Sequence, residues 1–140
     1  YEICSRDWSS DVCSSDLGFG LLGHLVEMTR PSGVDAELHL SALPLLDGAT
    51  DCVKAGIVSS LQPANVRLRR ALRNMEEFAQ DARYALLFDP QTAGGLLASV
   101  PAAKADACVA ALQAAGYAQT AIIGRINDPS AAIEPVVLKL

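Results

Sequence analysis

The chain has 140 residues, 51% of them hydrophobic and 5% aromatic, with a formal net charge of -5. That length suits a single domain with a real core. A weakly charged surface with few aromatics argues against a nucleic-acid partner, and with no run of eighteen apolar residues no membrane-spanning helix is expected.

Residues 1–17 stand apart from the rest. Arg6 to Leu17 (RDWSSDVCSSDL) matches the translation of a short-read sequencing adapter, and Tyr1-Glu2-Ile3 matches the end of its primer. Residues 1–17 are therefore expected to be an adapter-derived artefact outside the domain, which then comprises residues 18–140. A Ser- and Asp-rich segment of this kind is expected to be disordered or loosely attached. It holds four of the 16 acids and one of the 11 basic residues, so the remainder carries a net charge of -2. The single Trp, Trp8, and two of the four cysteines go with it. Cys52 and Cys108 remain, in apolar helical contexts where a buried free thiol is the ordinary state. No disulfide framework or zinc spacing is visible, which fits a reducing, cytoplasmic setting.

From Gly18 onward, Leu21, Leu22, Leu25 and Met28 fall on one face, predicting a helix to Arg30 that is entered through Gly18, Gly20 and Gly23. Two readings of that start are open. Its free N–H groups suit phosphate, or the glycines let the helix pack closely against a strand. His24 reads as a core or interface histidine rather than a ligand. Pro31-Ser32-Gly33 is expected to end the helix. Val34 to Leu40 then alternates, with Val34, Ala36, Leu38 and Leu40 inward and Asp35, Glu37 and His39 outward, as in a half-buried strand.

A short helix over Ala49 to Ala55, closed by Gly56, precedes a loop and a helix from Ala64 to Arg73 with Pro63 at its first turn. That helix would gather Arg67, Arg69, Arg70 and Arg73. Such a cluster could steer phosphates or meet an acidic partner, or form a solvated face paired with Glu76, Glu77 and Asp81. Tyr84 to Phe88 leads into Asp89-Pro90-Gln91-Thr92-Ala93-Gly94-Gly95 and a strand from Leu96 to Val100. Two readings are open here as well. A polar loop on a rigid strand can present Asp, Gln and Thr to a ligand while glycines admit a close backbone, or Asp and Thr merely bond their own turn.

Pro101 starts an alanine-rich helix to Ala115 with Gly116 as its stop and a narrow stripe of Ala105, Val109 and Leu112. Ala121 to Ile126 and Ile133 to Leu140 read as the last strands, Pro135 placing the final one near an edge or a strand start. The sum is an α+β domain: a mixed, mainly antiparallel sheet of about four strands with packed helices.

Gly18-Phe19-Gly20-Leu21-Leu22-Gly23-His24 and Leu86-Leu87-Phe88-Asp89-Pro90-Gln91-Thr92-Ala93-Gly94-Gly95-Leu96-Leu97 together resemble the C-terminal domain of the selenophosphate synthetase (selenide, water dikinase) family, within the aminoimidazole ribonucleotide synthetase-like superfamily. The resemblance runs from Gly18 to the C-terminus and implies the same α+β architecture. It also implies a fragment of an ATP-dependent enzyme that turns selenide, ATP and water into selenophosphate, AMP and phosphate, with Mg2+ and ATP as cofactors of the full-length, homodimeric form. The family's reactive cysteine or selenocysteine, its lysine, its nucleotide-binding glycines and most metal-binding aspartates belong to an N-terminal domain missing here. One further family aspartate lies in a Thr-Asp-Val-Thr stretch whose place is taken by Ser14-Ser15-Asp16-Leu17, so Ser15 stands where the metal ligand would be. The fragment is thus expected to hold no catalytic or metal residue, to bind neither cofactor tightly and to be inactive alone. The substrate- or phosphate-loop candidates are Asp89, Gln91, Thr92, Gly94 and Gly95 with Gly18, Gly20 and Gly23. Two alternatives are a fragment of another enzyme of that superfamily, against which the Asp-Pro-Gln-Thr-Ala-Gly-Gly-Leu-Leu run argues, and a non-catalytic packing or dimerisation module.

Overall fold

The computed structural model describes residues 2–6, 18–91 and 95–140. Helix α1 (Gly20–Ser32) buries Leu22 and Leu25 of the predicted face but leaves Leu21 and Met28 half-buried, and buries Val26 and Thr29 beside them. It runs two residues beyond the predicted end, because Gly33 rather than Pro31 stops it. With φ at 62°, Gly33 turns its N–H back onto the carbonyls of Arg30 and Thr29.

Strand β2 (Asp35–His39) keeps the predicted alternation at Ala36 and Leu38, while Glu37 and His39 hydrogen-bond to each other at 2.9 Å on the other face. Asp35 breaks the pattern. Expected to face water, it is 8% exposed, because the Arg73 guanidinium at 2.5 Å and the Ser130 N–H at 2.8 Å converge on its carboxylate. Burial raises its pKa, but the hydrogen bonds from Arg73 and Ser130 outweigh that and hold it below the ordinary carboxylate range.

Helix α2 (Ala49–Lys54) forms where expected and buries none of its residues. Cys52, on α2, is exposed, and Cys108, on α6 (Ala102–Ala114), is half-buried. The expected buried thiols are therefore corrected: α2 lies at the rim, and Ala105 is the residue α6 buries. The predicted Ala64–Arg73 helix is also corrected. It divides into α3 (Gln62–Asn65) and a 3-10 segment (Val66–Ala71), because Leu72 bridges Val136 and the Arg73 N–H bonds the Val136 carbonyl at 3.0 Å, which draws the chain toward the sheet. Arg67, Arg69 and Arg70 are exposed and form no salt bridge among the described residues. Asn74, just before α4 (Met75–Phe78), bonds Glu77, and Asp81 caps α5 (Ala82–Leu86) while pairing with Arg83.

Strands β3 (Leu96–Val100) and β4 (Ala121–Asn127) run parallel and are joined by α6, with β1 (Glu2–Arg6) antiparallel between them. This is a split βαβ unit. Strand β2 pairs antiparallel with β4, and β5 (Val136–Lys139) adds parallel to β2, giving the order β3-β1-β4-β2-β5. The mixed α+β sheet is as expected, and residues 18–140 supply four of its strands. The fifth is Glu2–Arg6, against the expectation of a disordered or loosely attached segment. Strands β3 and β4 present facing rows of backbone donors and acceptors, and such a slot demands an extended backbone rather than particular side chains. Pro135 sits at the start of edge strand β5, where its missing N–H costs no ladder bond. Asn74 braces β5, its amide donating to the Leu138 carbonyl and accepting the Leu138 N–H, both at 3.0 Å. The core joins α1 to β2, β4 and β5 and takes in Ala71, Leu72, Leu87 and Phe88.

Candidate functional site at the junction of the two motifs

Gly18-Phe19-Gly20 and Leu87-Phe88-Asp89-Pro90-Gln91 lie far apart in sequence and pack directly against each other. Gly20 has φ at 71°, and a Cβ there would sit 2.7 Å from the Leu87 carbonyl oxygen and 2.9 Å from the Phe88 carbonyl carbon. A Cβ on Gly18 (φ 31°) would meet Pro90 at 3.0 Å and the Gln91 nitrogen at 3.3 Å. On Gly23 it would strike the Phe19 side chain and approach Leu68 at 3.1 Å. All three glycines are therefore required by close packing, Gly18 and Gly20 against the segment after α5 rather than a strand, and Gly23 against Phe19 and Leu68. The N–H of Leu22, in the first turn of α1, is already taken by the Leu87 carbonyl at 3.1 Å.

Two polar side chains fasten the junction. Asn65, 5% exposed, donates from Nδ2 to the carbonyls of Gly18 at 2.7 Å and Phe88 at 3.0 Å, tying the two motifs to one amide. Gln62, 7% exposed, donates from Nε2 to the Ala85 carbonyl at 2.8 Å. Both lie on α3, one turn apart. Gln and Asn near a helix start read as surface, so neither stands out in the sequence; the one available signal is their i, i+3 spacing beside Pro63. Phe88 is buried edge-on against Tyr84, centroids 5.2 Å apart at 72°. Burial raises the Tyr84 pKa against the opposing pull of the Arg69 charge, which brings one arginine of the cluster into the electrostatic range of this junction.

Of the predicted loop, Asp89 and Pro90 are half-buried while Gln91 and Gly95 are exposed. Thr92, Gly94 and the site of the family aspartate, Ser15, lie outside the described residues. Asp89 also borders an open groove of about 320 Å3 formed with Cys52, Val53, Ile57, Val58 and Leu86. His24 is part-exposed on α1, 3.8 Å from Glu27, so it is no core histidine. Among the described residues no three His, Cys, Asp or Glu side chains converge, so this donor set does not by itself fit magnesium, which takes several oxygens in octahedral array. What the junction can do chemically is hold Asp89, Pro90 and Gln91 in a fixed place on a rigid support.

Comparison with known proteins bears on this geometry. Residues 18–134 match the family described as AIR synthase related protein, C-terminal domain. The chain is 33% identical over 118 residues to a selenide, water dikinase of Caldanaerobacter subterraneus subsp. tengcongensis, a match covering 84% of this chain and 34% of the relative. It is 35% identical over 119 residues to that of Rhizobium meliloti (85% and 34%) and 36% identical over 126 residues to that of Pelobacter propionicus (87% and 35%). The chain thus spans about a third of the length of the curated relatives it matches. The two packed motifs both fall inside the matched region, and the chain belongs to the AIR synthase related protein family through its C-terminal domain.

Proposed function

We propose that this chain is the C-terminal third of a selenide, water dikinase and that Asp89 to Gly95 forms one wall of its phosphate-handling cleft. The supporting observation is the stapled junction: a single buried amide, Asn65, fixes the Gly18 backbone to the Phe88 backbone, so that the loop leaves a rigid base. Phosphoryl transfer depends mainly on positioning and charge stabilisation, and a polar loop on a fixed base can supply positioning. Magnesium, when bound with the nucleotide, supplies charge neutralisation, and its ligands come from the upstream part. Asp89 braces the turn, while Gln91 and Thr92 offer donors to the phosphate or to an ordered water. Alone, the chain makes no selenophosphate.

The test places residues 18–140 behind the upstream part of the Caldanaerobacter relative and follows selenide-dependent AMP formation. Thr92→Val keeps shape and removes the hydroxyl. If that hydroxyl bonds the transition state, turnover falls about a hundredfold or more while the fold persists. A well-folded Thr92→Val chimera with undiminished turnover removes Thr92 from the site, and AMP formation by the isolated chain refutes the division of labour.

A further inference from the structure

We propose that the rim formed by α2 and the loop after it is the docking face for the upstream two-thirds of the protein. This rests on the proposal that the chain is the C-terminal third of a longer synthetase. Among the described residues the large exposed apolar side chains are Leu46 (75% exposed), Ile57 (65%), Val58 (47%), Leu61 (51%), Ile133 and Leu140. Four of the six fall within residues 46–61. Scattered exposed apolar residues are ordinary in a folded domain, but Ile57 and Val58 also line the groove that Asp89 borders, which joins their exposure to one concave surface.

The local structure supports the same conclusion. Helix α2 buries none of its residues, so the face carrying Ala49 and Val53 is only half covered. Leu46 precedes it, the Ala49 N–H bonding the Leu46 carbonyl at 3.1 Å, and Ile57 follows it, its N–H bonding the Cys52 carbonyl at 2.8 Å. These bonds hold both apolar residues at the ends of one short helix. The groove between Val53, Ile57, Val58 and Leu86 is mainly apolar and has Asp89 in its lining. An apolar surface seated here would therefore lie beside the loop that leads on to Gln91.

The choice of occupant follows from the length of the curated relatives. The matched family is a C-terminal domain, and the curated relatives carry about two-thirds of their length outside the match. Covering this rim with the upstream part buries the exposed side chains and brings upstream groups to Asp89 in one contact. The partner surface is accordingly apolar where it meets Ile57 and Leu61, with polar groups opposite Asp89.

Hydrogen exchange read by mass spectrometry tests this on the intact chain and on the chimera described above. Exchange over residues 46–61 is expected to slow about tenfold or more in the chimera. The double substitution Ile57→Asp, Leu61→Asp should restore the isolated-chain rate, while Ile133→Asp should leave the protection in place. Unslowed exchange at 46–61, with α1 and β2 protected, overturns the proposal. If the grafted third shows no protection anywhere, the relative's upstream part is added in trans to the intact chain, and failure to slow exchange at 46–61 overturns it equally. Protection already present in the chain alone and lost on dilution assigns the face to a second copy and also overturns it. An inactive chimera that protects 46–61 retains the docking face and refutes the function reading; an active one that leaves 46–61 open does the reverse.

Discussion

Asn65→Ala should be among the most costly single substitutions outside the apolar core. The side chain donates to two carbonyls, Gly18 at 2.7 Å and Phe88 at 3.0 Å, and both acceptor residues are themselves buried. Each lost bond is worth about 1 kcal/mol net, and each carbonyl left dry adds to that, so the total is roughly 2 to 4 kcal/mol. For a domain of this size that lowers the Tm by roughly 8 to 15 °C. Thermal melts followed by circular dichroism, with urea melts to confirm an unchanged m-value, measure it. Asn65→Asp separates the donor from the shape, since it nearly preserves volume but turns carboxylate oxygens toward two carbonyl oxygens. It should be at least as damaging as Ala at neutral pH and partly relieved by acid, where a protonated carboxyl can donate once. A fall of less than about 2 °C for Asn65→Ala, on the order of 0.5 kcal/mol, would refute the stapled junction.

Gly20→Ala forces a Cβ to within 2.7 Å of the Leu87 oxygen at φ 71°, whereas Gly33→Ala has φ 62° and nothing within 4 Å. Urea melts should show a loss of about 1 kcal/mol for Gly33→Ala and at least twice that for Gly20→Ala; equal losses would show that the junction yields freely. Arg73→Met strips the partner from Asp35, whose folded pKa is lowered, so the stability this carboxylate contributes is present above its unfolded pKa and lost as pH falls through the folded one. The penalty should be about 2 kcal/mol at pH 7, discounted for the part-exposed guanidinium, and should shrink below roughly pH 4; a pH-independent penalty contradicts the pairing. Deleting residues 1–17 removes β1 from between β3 and β4 and should lower the Tm by several degrees, about 1 kcal/mol or more. An unchanged Tm would show that β1 adds nothing to the sheet.

Where one neighbour in the chain decides the conformation, the sequence is readable. Strand β2, helix α2, helix α6 with its Gly116 stop and the strand after the polar loop all formed as their periodicity and punctuation required. Departures occur where distant residues intervene. Residues 66–71 are good helix formers, yet they tighten into a 3-10 segment because Leu72 and Arg73 are claimed by Val136, and Asp35 turns inward because Arg73 and Ser130 reach it from elsewhere in the chain. Of the candidate site, the pairing of the two glycine motifs could be anticipated from their resemblance, but the amide that joins them could not. Beyond its i, i+3 spacing from Gln62, an Asn in a Gln-Pro-Ala-Asn helical turn carries no local sign of the two carbonyls it will satisfy.

The clasp of Asn74 on Leu138 bears on how copies of this domain avoid one another. An outer strand with a free row of N–H and C=O groups is a template on which a second molecule can add, and repeated addition produces aggregates. Here one side-chain amide occupies the donor and the acceptor of Leu138, and the Arg73 N–H takes the Val136 carbonyl, so the outer margin of β5 is already filled at alternate residues by its own chain. That margin resembles a strand that has been paired and then cut short. Self-addition through β5 would have to break three internal hydrogen bonds first.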